Sequence, residues 1–188
     1  MHQATSLLLA LLVTAAAAQP APVRPPASPP APTLRQASPV TPTPSKSYQA
    51  MLPDLIRQSR QIVLRVNSLK RADVAEAVRQ AQINKGADVI LITSKASLME
   101  RESLTMRLAL MRTHTYLEER PGNPFIILDG VAYTGFGLVD FGRVNREPSG
   151  SAATFITWAQ AFIDAHKKVD PVWMVREWTW LNLKIRLN

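Results

Sequence analysis

The sequence predicts an α/β domain built on a mixed sheet flanked by helices. Three observations carry that expectation. Residues 61–69, 71–85 and 87–93 read as strand, helix and strand, a βαβ unit that calls for parallel pairing. Phe125 to Leu128 and Val131 to Thr134 are apolar runs joined by Asp129-Gly130. Asp-Gly in that setting is a strong hairpin signal, because a type I′ turn needs positive φ at both central residues. Ser151 to Lys168 then carries Phe155, Trp158, Ala159, Phe162 and Ile163 at helical spacing, a stripe suited to covering a sheet.

The elements follow in order. Tyr48 to Gln61 is expected as a helix, with Met51, Leu52, Leu55 and Ile56 recurring at helical spacing and Pro53 early enough to be tolerated. Gln61 to Leu69 is a strand with Ile62, Leu64 and Val66 on one face. In the next helix, Val74, Ala77, Val78 and Ala81 form the apolar stripe, and Gly86 is placed as the residue that ends it. Ala87 to Thr93 is almost continuously apolar, as suits a strand buried on both faces. Ser97 to Met111 is expected as one helix, with Leu104, Leu108 and Met111 inward, and Thr113 to Leu117 as a short strand. Near the C-terminus Asp170 and Pro171 form a helix start. Leu181, Leu183, Ile185 and Leu187 then alternate with polar residues, so an edge strand is expected after a short helix. In that register Trp178 and Trp180 share a face with Lys184 and Arg186, a pattern open to packing on the sheet edge, base stacking or a membrane interface.

The first 46 residues belong outside this domain. Residues 1–18 contain no Lys, Arg, Asp or Glu, and Ser6 to Ala18 is an apolar run with small residues at its end. It has the length of a signal-peptide core, with cleavage expected near Ala18; an uncleaved anchor is the alternative. Export to the periplasm, cell envelope or exterior follows. Ten of the fifteen prolines lie in residues 19–46. Proline removes amide donors and fixes φ, so this segment reads as a spacer or as a proline-rich ligand for another domain. The domain is therefore 47–188.

Cysteine is absent, which excludes disulfides and thiolate metal sites. The net charge is +8, and Arg24, Arg35 and Lys46 account for three of it, leaving +5 on the domain. That charge is compatible with nucleic acid or anionic lipid, and equally with ordinary solubility.

The residues Ile62 to Leu69, Ala75 to Arg79 and Lys85 to Ile92, in that order, resemble the opening of the phospholipase D superfamily, most of all its small single-copy secreted nucleases. Phe125 to Gly130 resembles the strand that carries the signature His-x-Lys-(x4)-Asp, with Asp129 as its Asp. Gly135 sits near the family's Gly-Ser-x-Asn, and Asn145-Arg146-Glu147 resembles its downstream Asn-x-Glu. The resemblance spans about residues 48–168. It implies a phospholipase D-like fold, an active centre built around two histidines and a lysine, no cofactor and no metal. It also implies a homodimer with region 119–147 at the interface, because two motif copies must face each other.

This chain departs from that pattern where the chemistry lies. The histidine position falls on Gly122 and the lysine position on Pro124. Glycine and proline supply no nucleophile, proton or charge. Gly135-Phe136-Gly137-Leu138 lacks the hydroxyl and amide of the family element. His114 has no lysine at the required spacing; His166 is followed by Lys168 but sits at a helix C-terminus with no aspartate at the right distance, and both read as structural or surface residues. The pairs Glu118-Glu119 and Glu100-Glu102 read as solvated surface. There is no Gly-rich phosphate loop, Gly-x-Ser-x-Gly or His-x-x-x-His.

Three functions remain. The first is a degenerate phospholipase D-like domain that binds a phosphodiester polyanion or a protein. Gly122, Pro124, Asp129, Gly135, Asn145 and Glu147 would mark its vestigial site, and Arg143 and Arg146 would be ligand contacts. The second is an active phosphodiesterase with an altered site. The third is a structural protein of the envelope.

Overall fold

A computed structural model describes residues 47–186. The expected leader (1–18) and proline-rich segment (19–46) lie outside the described residues.

Helix α1 (Leu52–Gln58) leads into strand β1 (Gln61–Arg65), helix α2 (Ala72–Lys85) and strand β2 (Asp88–Ser94). Gly86 adopts φ +63°, and Gly86 N and Ala87 N return to the carbonyls of Gln82 and Ala81. This closes α2 as the sequence predicts, because glycine reaches the left-handed region without a Cβ clash. Strand β3 (His114–Glu118) pairs parallel to β2, which pairs parallel to β1. Strands β4 (Phe125–Leu128) and β5 (Val131–Thr134) form the expected hairpin, with Asp129 at φ +48° and Gly130 at φ +83°. β4 joins β1 antiparallel. A short strand, β6 (Asn145–Arg146), adds to β5, giving the six-stranded order β3-β2-β1-β4-β5-β6.

Alternating side chains send Ile62, Leu64, Val89, Leu91, Ile126 and Leu128 to one face, where they pack on α1, α2, helix α4 (Thr105–Ala109) and Met174. Val63, Ile92, Phe125, Ile127 and Ala132 face the other way, against helix α5 (Ser149–Ala165). The predicted stripe of Phe155, Trp158, Ala159 and Phe162 packs there, and the rings of Phe155 and Trp158 lie 5.1 and 5.6 Å from that of Phe125. Helix α6 spans Pro171–Arg186. No described helix is long and apolar enough to cross a membrane.

Three expectations are corrected. The helix over 97–111 is two short ones, α3 (Lys95–Met99) and α4, separated at Glu100–Leu104. Leu69 imposes the break: its N–H is shared by Ser103 Oγ and Thr105 Oγ1 at 3.1 and 3.3 Å, and its carbonyl accepts from Leu104 N at 2.7 Å. Hydroxyl and amide groups that satisfy a distant backbone cannot also continue a helix. Where an edge strand is expected over 181–187, the described residues continue instead as α6 to Arg186. Asp170 caps that helix by accepting from Val172 N, as expected; past Leu181 the helix continues, with Asn182 Nδ2 donating back one turn to Trp178 O at 2.8 Å, while Glu177 pairs with Lys95 at 3.2 Å and Asn182 accepts from Arg101 at 3.4 Å. Residues 145–146, which the sequence places in no element, pair as β6.

Candidate functional site

Chain order reverses between β1 and β4. The loop that leaves the C-terminal end of β1 and the loop that enters the antiparallel β4 meet there and line a cleft. Gly122 and Pro124 lie at this end, just ahead of β4. Arg65, the last residue of β1, is paired with Phe125 beside them.

The position of Gly122 is tightly enclosed. Arg65 Nε and Nη2 donate to Glu118 Oε2 at 2.9 and 2.6 Å, and the guanidinium lies 4.3 Å from the centre of the Trp158 ring. A Cβ added at residue 122 would collide with that guanidinium. Gly122 N donates to Glu118 Oε1 at 3.4 Å, and Gly122 O accepts from Asn67 Nδ2 at 2.8 Å. Thus the guanidinium of an ion pair fills the space into which a side chain at 122 would point. Glu118 is buried, with only 6% of its surface exposed, which corrects its reading as a solvated carboxylate. The ion pair links β1 to β3 across β2, and its partners are 53 residues apart.

Pro124 is buried in the wall of a cleft of about 290 Å³, together with Asn67, Ser68, Lys70, Glu100, Phe136 and Asp140. Asn67 Oδ1 and Ser68 Oγ are shielded there without a protein hydrogen-bond partner. Glu100 is half-buried and belongs to this wall, so it too is more than solvated surface.

On the neighbouring strands, Thr134 Oγ1 donates to Glu147 Oε1 at 2.5 Å, and Thr134 pairs across the ladder with Asn145. Glu147 N donates to Ala132 O at 2.9 Å. Gly135 adopts φ +115°, and a Cβ there would run into the carbonyl of Arg143. Gly135, Asn145 and Glu147 are therefore brought together at the same end of the sheet as Gly122 and Pro124. Arg143 and Arg146 are both exposed. Arg146 is paired across from Tyr133, whose phenol is pushed above its ordinary value by burial, with the Arg146 charge opposing the shift.

Asp129 is not part of this group. It sits in the β4–β5 turn at the opposite end of the strands, where Oδ1 accepts from Arg60 N and Gln61 N at 3.0 and 2.8 Å. Its carboxylate caps the start of β1. His114 is half-buried, 3.6 Å from Asp88, and His166 is exposed, stacked on Phe162 with ring centres 3.8 Å apart. Among the described residues no three His, Asp or Glu side chains converge as metal ligands.

Sequence reasoning missed Arg65, Glu118, Asn67 and Ser68. One signal was available: Arg65 is a charge inside an otherwise apolar strand, and such a charge needs a partner.

No protein-family model matches the chain, and no curated protein matches it. Solved structures do. NucT from Helicobacter pylori superposes with a TM-score of 0.53 at 12% identity, over 65% of this chain and 93% of that one. Nuc from Salmonella typhimurium, a phospholipase D family member, gives 0.52 at 15% identity, over 64% and 90%. These superpositions show that the described domain has a phospholipase D-like fold.

Proposed function

We propose that this protein is an exported, non-catalytic phospholipase D-like domain that binds a phosphodiester polyanion, either nucleic acid or anionic lipid. The observation that carries the reading is the occupation of residue 122's side-chain space by the Arg65 guanidinium, itself neutralised by Glu118. Phosphoryl transfer to a side chain needs a nucleophile and a positive clamp at the reacting phosphate. Gly122 and Pro124 provide neither, and the nearest cation is already committed to a buried carboxylate. Binding is supported by exposed Lys70, Arg143 and Arg146, which lie around the same end of the sheet, and by the domain's net positive charge. Export is supported by the apolar stretch Ser6 to Ala18.

The test is the purified chain incubated with plasmid DNA and with a chromogenic phosphodiester, without added metal, alongside binding titrations at several salt concentrations. No turnover with salt-sensitive binding is expected. Turnover would overturn the non-catalytic reading, and absence of any salt-sensitive binding would overturn the polyanion reading.

A further inference from the structure

Between β5 and β6 the chain forms a tight loop whose apolar residues divide into two sets. Leu138, Val139 and Val144 are buried, whereas Phe136 and Phe141 are 70% and 91% exposed. Exposed phenylalanine commonly belongs to a mobile tip that can fold back onto the surface. This loop is held instead. Gly137 N donates to Arg143 O at 3.1 Å, and Val139 N and Asp140 N both donate to Phe136 O at 3.0 Å. Val139 O accepts from Lys70 N and Arg71 N at 2.8 and 3.2 Å, and Arg71 Nη1 donates to Gly137 O at 2.5 Å. Added Cβ atoms at Gly135 and Gly137 would strike the opposite side of the loop, so its two limbs are in direct backbone contact. The two rings are presented on a fixed frame, and inserting them elsewhere requires little further ordering.

Charge around the rings is biased positive. Lys70 lines the clefts on both sides, with Phe136 in the wall of one and Phe141 in the wall of the other. Arg143 and Arg146 are exposed close by in the chain. Of the facing acids, Asp73 is paired with Arg71, Glu100 lies within the Phe136 cleft, and Asp140 Oδ1 accepts from Phe141 N at 2.9 Å. Apolar rings projecting from a basic surface suit the boundary between anionic headgroups and acyl chains. They suit a nucleic-acid strand less well, because Phe136 and Phe141 open onto different clefts and do not line one groove along which successive bases could stack.

We infer that Phe136 and Phe141 insert into an anionic lipid bilayer, with Lys70 and Arg143 on the headgroups. The inference rests on the polyanion-binding reading above and specifies the polyanion as lipid.

The chain has no cysteine, so one introduced residue can carry a polarity-sensitive fluorophore. Full-length Phe141→Cys and Phe136→Cys are labelled and titrated with phosphatidylglycerol-containing vesicles, with phosphatidylcholine vesicles and with a single-stranded oligonucleotide. Asn84→Cys, exposed at the far end of α2, is the control. Both loop labels shift to the blue and brighten with anionic vesicles only, and the control does not. Adding Lys70→Glu and Arg143→Glu raises the vesicle concentration at half-shift by at least about tenfold. Loop labels that stay unchanged on vesicles, or a half-shift indifferent to the charge reversals, overturn the inference. If the labels respond to the oligonucleotide alone, lipid insertion fails but polyanion binding stands. If neither vesicles nor oligonucleotide is bound in a salt-sensitive way, both fail.

Discussion

The guanidinium of Arg65 lies where a side chain on Gly122 would begin. The two residues come from adjoining strand ends, and Glu118 holds both, one through its Oε2 and one through its Oε1. The space that a side chain at residue 122 would need is thus taken by one member of this ion pair.

Placing the family's signature residues at 122 and 124 should not create chemistry. Gly122→His with Pro124→Lys forces Arg65 away from Glu118 and Trp158, which is overpacking in a filled site. A loss of about 1–3 kcal/mol is expected, with no phosphodiester hydrolysis. Denaturant titration and a chromogenic assay on the same preparation check both halves.

Arg65 and Glu118 should behave as a buried pair, with side chains 18% and 4% exposed. Either single truncation, Arg65→Ala or Glu118→Ala, leaves a charge without its partner and should cost about 3–5 kcal/mol. The double change Arg65→Met with Glu118→Leu should cost less than either single truncation. A double-mutant cycle measures the coupling, and additive losses would contradict it.

Asp129 should matter to stability and not to binding. Asp129→Ala loses the acceptor for two backbone amides and places alanine at φ +48°. A loss of about 1–2 kcal/mol is expected. Asp129→Asn keeps an acceptor and tolerates that backbone, so it should lie closer to wild type in a thermal melt.

Acid should act through α2. Glu76 is lowered from 4.5 to about 2, chiefly by its hydrogen bond to Arg79 and then by Gln80. A depressed carboxylate stabilises the fold above its unfolded value and loses that contribution as pH falls through the folded one. The stability difference between wild type and Glu76→Gln should be full at neutral pH and close as pH drops from about 4.5 towards about 2. Asp73, lowered mainly by its hydrogen bond to Arg71, shifts in the same direction.

Arg143→Ala and Arg146→Ala should leave the melting temperature unchanged, since both side chains are exposed. Each that contacts a phosphate should reduce the slope of log affinity against log salt by about 1. Titrations over a salt series give that slope directly.

Local chemistry made much of the fold legible. The Asp129-Gly130 turn, the Gly86 stop and the aromatic stripe of α5 each depend on neighbours within a few residues. What the sequence concealed depends on distant partners. The break between α3 and α4 is set by the backbone of Leu69, more than thirty residues away. The alternation from 181 onward matched a strand, but the chain there continues a helix already anchored on the core by Trp173 and Met174. That residues 122 and 124 are neither His nor Lys could be read directly. That Arg65 and Glu118 fill the space could not, because strand pairing alone brings them together.

The margins of the sheet bear on how such a chain survives without disulfides. Beyond the end of α5, Val169 N donates to Thr115 O at 2.8 Å and so occupies a carbonyl on the outer side of β3. The opposite margin, β6, is only two residues long. A second molecule seeking to extend the sheet finds one border partly covered and the other too short to template growth, which protects against strand-to-strand polymerisation.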